Sequence, residues 1–162
     1  MKRYFLSIGL IAGLAVAVSV QSEGAVTHRA RMQATAPADY PCQNAQFLSD
    51  QQQFVSGQTS DDQFVDVCGK VTKVLASKHT RSGNHGYFYI QVADGVTIEI
   101  VSDLDQMKAP AWPFVQVGDM VYVQGRYYYD SASSQGIDWT HHGTSRSWPH
   151  AGYVVVNGTK YQ

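Results

Sequence analysis

The stretch YFYIQVADGVTIEIV, residues 87–101, constrains this chain more than any other. Apolar and polar residues alternate in both halves, the period of a strand with one buried face. Between the halves stands Asp94-Gly95, a dipeptide that accepts the positive φ values of a tight hairpin turn. Such a hairpin cannot cover its own apolar face, so the rest of the chain must supply further strands.

It does so on both sides. FVDVCGKVTKVLA, from Phe64, alternates in the same way, with Gly69 placed for a bulge or a close backbone approach. SKHTRSGNHG reads as a loop, and SDLDQMKAPAWPFVQ, with two prolines, as an irregular connector. VGDMVYVQGRYYYD reads as a turn and a strand, SASSQG as a loop, and IDWTHH as a fifth strand. GTSRSWP is a further loop, and HAGYVVVNGTKYQ is a closing hairpin about Asn157-Gly158, with His150 at its start. Upstream, NAQFLSDQQQFV places Phe47, Leu48, Phe54 and Val55 on one side of a short helix capped by Asn44. The pattern predicts an all-β chain: a small five-stranded OB-like barrel with a C-terminal hairpin and a short N-terminal helix. An SH3-like barrel or a small sandwich is the alternative.

The N-terminus bounds the compartment. Lys2 and Arg3 precede an apolar run from about Tyr4 to Val20, closed by Gln21, Ser22 and Glu23. That layout predicts a signal peptide over 1–25 and a periplasmic or secreted protein. The run falls short of the roughly 20 residues of a membrane span, so no stable membrane insertion is expected after cleavage; the alternative is an uncleaved anchor. Residues 26–42 read as a flexible tether and 43–162 as the barrel domain with its leading helix. Lys2, Arg3 and Glu23 leave with the leader, taking 12 basic and 13 acidic side chains to 10 and 12. No global basic field remains to attract nucleic acid. In an oxidising compartment Cys42 and Cys68 suggest one disulfide, tying the segment after the leader to the first long strand; two unpaired thiols are the alternative.

The strand ending GDMVYVQGRYYYD, followed by GIDWTHH and HAGYVVVNGTKYQ, resembles a family of small exported bacterial proteins, the domain of unknown function three-four-six-five. The resemblance runs from about Val67 to Gln162. It rests most on WTHH, the later His-x-Gly and the Asn-Gly-x-x-Tyr-Gln ending, with GNHGYFYIQV matching at His85 and Phe88. It implies an OB-like fold and export, and it implies no activity.

Chemistry concentrates in the histidines. Imidazole is a common metal ligand and a near-neutral acid or base. On a regular strand Asp138, Thr140 and His142 share one face and Trp139 and His141 the other. A short loop would return His150 beside them, and His85 would approach across the barrel. His85, His141, His142 and His150 are thus candidate ligands for zinc, copper or nickel. His142, His150 and Asp138 are candidate catalytic groups. A second feature is basic and aromatic: Lys78, Arg81, His85, Tyr87, Trp139 and Arg146 are candidate ligand contacts around a barrel face suited to stacking bases or sugars. The expected function is an exported binding module, monomeric, for an oligonucleotide, an oligosaccharide or a small anion, with or without a histidine-bound metal. The alternatives are a histidine-metal phosphodiesterase or nuclease-like hydrolase and a protein-interaction barrel, so whether the chain is an enzyme stays open.

Overall fold

β1 (Gln63–Val74) and β3 (Gly83–Ala93) pair antiparallel, and at Gly69 a Cβ would strike the Gln91 carbonyl. The structure is a computed structural model that describes residues 40–162. The leader expected over 1–25 and the tether, up to position 39, lie outside the described residues. β3 turns at Asp94-Gly95 into β4 (Val96–Asp103), and Gly95 takes φ 71° as that turn requires.

β5 (Met120–Ser131) pairs with β1 over most of its length and with β6 (Ser134–Asp138) near its end. β6 lies parallel to β4. Five strands thus close a ring in the order β1-β3-β4-β6-β5 and back to β1. β7 (Tyr153–Val156) and β8 (Thr159–Tyr161) form the C-terminal hairpin, turning at Asn157 (φ 48°) and Gly158 (φ 92°). β7 occupies the same edge of β5 as β6 does, at Val121–Gln124.

The interior is filled by the inward-facing residues of these strands, among them Val67, Phe88, Ile90, Ile98, Ile100, Val123, Tyr127 and Ile137. Helix α1 (Asn44–Val55) covers part of this core. Phe47 and Phe54 meet the Tyr127 ring edge-on, with centroids 5.0 and 5.2 Å away. Each phenyl ring removed from water stabilises the fold by about 1.5–3 kcal/mol. Cys42 is joined to Cys68 by a disulfide, with Cα atoms 5.3 Å apart, which ties the start of the helix to β1.

Four local expectations need correction. Asn44 does not cap α1; Gln43 stands at that position. The Asn44 amide instead reaches the β1 and β3 backbones, donating to the Cys68 and Val92 carbonyls and accepting from the Cys68 N–H. Val55 is 56% exposed, because the helix presents Phe47 and Phe54, one per two turns, to the barrel. SKHTRSGNHG is not an open loop: Lys78–Thr80 forms a short strand, β2, that folds back on the start of β3. Finally, WTHH lies outside the fifth strand. β6 stops at Asp138, and Trp139 takes φ 51°, which swings the chain out of the ladder. Residues 139–152 form an excursion that returns where the Gly152 N–H donates to the His141 carbonyl, 2.7 Å away. At Gly152 the backbone presses on the Trp139 and Gln124 carbonyls, leaving no room for a side chain.

Candidate functional site

Alternation along β3 and β4 turns Phe88, Ile90, Ile98 and Ile100 inward and sends His85, Tyr87, Tyr89, Glu99 and Val101 to the outer face. On β5 the same rule buries Tyr127 and turns Arg126 and Tyr128 outward. Cross-strand register places Tyr87 opposite Val101 and Tyr89 opposite Glu99, with Gly136 beside Glu99 and Tyr128 beside Gly136. Gly136 matters here: a Cβ there would come within 2.8 Å of the Tyr128 hydroxyl.

This face carries a groove in three stretches. The first, about 270 Å³, is lined by Ser82, His85, Val101, Asp103, Gln106, Arg126, Asp138, Trp139 and His141. The second, also about 270 Å³, shares Ser82, His85, Val101 and Asp138 with it and adds Thr80, Tyr87 and Tyr128. The third, about 370 Å³, continues from Tyr128 past Tyr89, Thr97, Glu99 and the Ala132–Gln135 segment.

Arg126 on this face is spent on two carboxylates, whereas Lys73 and Lys78 stand at its border without a salt bridge among the described residues. Arg126 forks onto Asp138, with Nε to Oδ1 at 2.8 Å and Nη2 to Oδ2 at 2.6 Å, and its Nη1 donates to Asp62 at 3.0 Å. The hydrogen bond to Asp138 raises the guanidinium pKa further. Burial pushes the Asp138 carboxyl up, against the pull of Arg126. Tyr89 donates to Glu99 at 2.6 Å. That bond, with burial, pushes the Tyr89 hydroxyl up to about 12. Burial takes Tyr128 to about 12 as well, so both hydroxyls stay protonated donors. Lys73 and Lys78 stand over the Tyr89 and Tyr87 rings, 5.7 and 5.2 Å from the centroids.

The two pocket histidines have opposite hydrogen-bonding roles. His85 Nδ1 lies 3.0 Å from the Gly83 carbonyl oxygen, which can only accept, so Nδ1 carries the proton and Nε2 is bare in the neutral ring. His141 Nδ1 accepts from the Gly143 N–H at 3.1 Å, so its proton sits on Nε2. Burial lowers the His141 pKa, opposed by the nearby Asp103. His141 is 4% exposed and leans on Trp139, centroids 5.2 Å apart.

Of the residues singled out from the sequence, the groove brings together His85, Tyr87, Asp138, Trp139 and His141, with Lys78 over Tyr87. His142, His150 and Arg146 are exposed on the 139–152 excursion. His150 packs on Phe64 and Trp148, centroids 4.8 and 5.1 Å away. Arg81 is exposed at the β2–β3 turn. Among the described residues no group of three or more His, Cys, Asp or Glu side chains is placed to hold a metal ion, so the four histidines do not form a joint ligand set. The expected gathering ended the fifth strand at WTHH and folded His150 back beside it through a short loop; the chain leaves the ladder earlier, after Asp138. Sequence reasoning missed Arg126, Gln106 and the outward role of Tyr128; alternation through RYYYD carried the signal for the first and last of these.

A family model described as a protein of unknown function (DUF3465) matches residues 35–162. No curated protein matches the chain.

Proposed function

We propose, taking as premise that the chain belongs to the DUF3465 family, that it is an exported OB-like binding module for an uncharged oligosaccharide. The observation that carries this is the groove on the outer face of β3, β4 and β6, which sets Tyr87, Tyr89 and Tyr128 among carboxylates and hydroxyl donors. Aromatic faces stack on the C–H faces of sugar rings, and paired carboxylate and hydroxyl groups serve the sugar hydroxyls.

The charge arrangement favours this ligand over an oligonucleotide. Phosphate binding draws on cations that are free to lose their counterions. Arg126 is already held by Asp62 and Asp138, and Glu99 and Asp138 line the groove, where a polyanion would meet like charge. The formal net charge of the chain is −1. The disulfide supports an oxidising compartment, and with the leader read over 1–25 it supports a periplasmic or secreted protein. No helix among the described residues is long and apolar enough to cross a membrane.

The test is equilibrium binding to a panel of linear neutral hexasaccharides (cellulose-, chitin-, laminarin- and starch-derived) beside single-stranded oligothymidylate. The expected result is saturable binding to at least one hexasaccharide, little change with salt, and loss of binding in Tyr87→Ala and Tyr128→Ala. Salt-sensitive binding to the oligonucleotide alone would overturn the reading.

A further inference from the structure

At one end of the groove the polar pocket is built differently from the tyrosine-lined stretch. Its wall is pinned in place. Asp103 accepts the Asp105 and Gln106 N–H groups at 3.0 and 3.2 Å and the Gln106 Nε2 at 2.9 Å. Gln106 in turn meets Gly143, where an added Cβ would lie 2.8 Å from its Oε1. Gly143 is also the residue whose N–H fixes the His141 ring. On the other side β2 folds back so that Thr80 Oγ1 and the Gly83 carbonyl both hold His85 Nδ1, at 3.2 and 3.0 Å. Trp139, bent to φ 51°, forms part of the wall and lies against His141. A bulky residue kept in the left-handed region is strained, and such strain persists where the surroundings over-determine it, often at binding sites.

One imidazole thus has its Nε2 bare and the other carries its proton on Nε2, and both residues line one cavity of about 270 Å³. We propose that this pocket is a subsite for a single uncharged sugar ring, whose neighbouring hydroxyls donate to His85 Nε2 and accept from His141 Nε2–H while Trp139 borders the ring. This rests on the saccharide reading of the groove and adds its specificity. Asp103 and Asp138 line the same pocket, and the only cation among its lining residues, Arg126, is paired with Asp138 and Asp62. A uronic acid or a sugar phosphate would bring its charge beside two carboxylates with no free counter-charge. A neutral diol meets one donor and one acceptor that are already oriented, which limits the entropy lost on binding.

The experiment is NMR of the full chain, labelled at histidine and tyrosine side chains, titrated with methyl glucoside, methyl galactoside, methyl mannoside and methyl N-acetylglucosaminide, and with methyl glucuronide as the charged control. The expected result is that at least one neutral glycoside shifts the His85 and His141 ring nitrogens while methyl glucuronide does not. His85→Ala weakens that binding about tenfold, the loss of one hydrogen bond; His85→Gln, which keeps an acceptor, restores part of it. The histidine signals also report the tautomers directly, so a misfolded variant cannot stand in for a lost contact. If neutral glycosides shift the Tyr87 and Tyr128 signals but leave both histidines unmoved, the subsite is wrong and the groove reading stands. If the glucuronide binds as well as the neutral sugars, the specificity is wrong. If no glycoside moves either set, both the subsite and the groove reading fall.

Discussion

Replacing Asn44 with Asp separates two roles that the residue could fill. As a helix-terminal group, Asp is as good as Asn and gains from the positive end of the helix dipole, so a capping role makes Asn44→Asp neutral or stabilising. In the structure Asn44 Nδ2 instead donates to the Cys68 and Val92 carbonyls, both at 2.9 Å, and Oδ1 accepts from the Cys68 N–H at 3.0 Å. A hydrogen bond contributes about 1 kcal/mol net. Asn44→Ala, losing all three and stranding part-buried backbone groups, should therefore cost about 3 kcal/mol. Asn44→Asp keeps the acceptor but turns a carboxylate oxygen toward two carbonyls, a loss of about 2 kcal/mol or more. Urea denaturation followed by tryptophan fluorescence, with the disulfide intact and an unchanged m value, measures both. An Asn44→Asp variant within about 0.5 kcal/mol of the parent would refute the brace between α1, β1 and β3.

The bridge between Cys42 and Cys68 closes a loop with a sequence separation of 26, so its reduction should cost about 3 kcal/mol of stability in the chain-entropy model; an unchanged urea midpoint on reduction contradicts this. Burial holds the His141 pKa below its ordinary 6.5. The unfolded chain therefore takes up a proton that the folded chain refuses, and the stability His141 contributes is full above about pH 6.5 and lost as pH falls toward the folded value. An NMR titration should find the ring still largely neutral at pH 6.5, and protonation at or above that value would contradict the burial argument. Glu99→Gln should lower the Tyr89 hydroxyl from about 12 toward 10, read by ultraviolet titration of the variant against the parent; no change would mean that Glu99 is not the cause.

The two hairpin turns were legible because Asp94-Gly95 and Asn157-Gly158 carry residues that tolerate the backbone angles those turns need. The strands around them were legible because one buried face imposes a period of two. The β6 end was not: Trp139 adopts φ 51°, and nothing in the local composition marks an aromatic residue for that region. Gly152 crosses close over the Trp139 and Gln124 carbonyls, a contact distant in sequence that local composition does not show. Beyond that turn His142 and His150 lie exposed on the excursion, while His141 lines the pocket with His85. The short β2 strand was hidden by its own turn-rich sequence, since Ser, Gly and Asn serve a tight hairpin as readily as an open loop. Asn44 misled because the capping preference is local, whereas its partners Cys68 and Val92 lie 24 and 48 residues away.

Chemical-shift mapping on the amide and tyrosine signals, using whichever neutral hexasaccharide binds tightest in the panel, tests the saccharide-binding groove most directly. The expected shifts concentrate on Tyr87, Tyr89, Glu99, Val101 and Tyr128 and extend to His85 and Trp139. A second aromatic patch, in which Tyr40 packs on the largely buried Tyr122 and Tyr153 rings and Lys160 stands over Tyr153, should remain unchanged. Shifts confined to that patch, or binding undiminished by Tyr87→Ala and Tyr128→Ala together, would contradict the account.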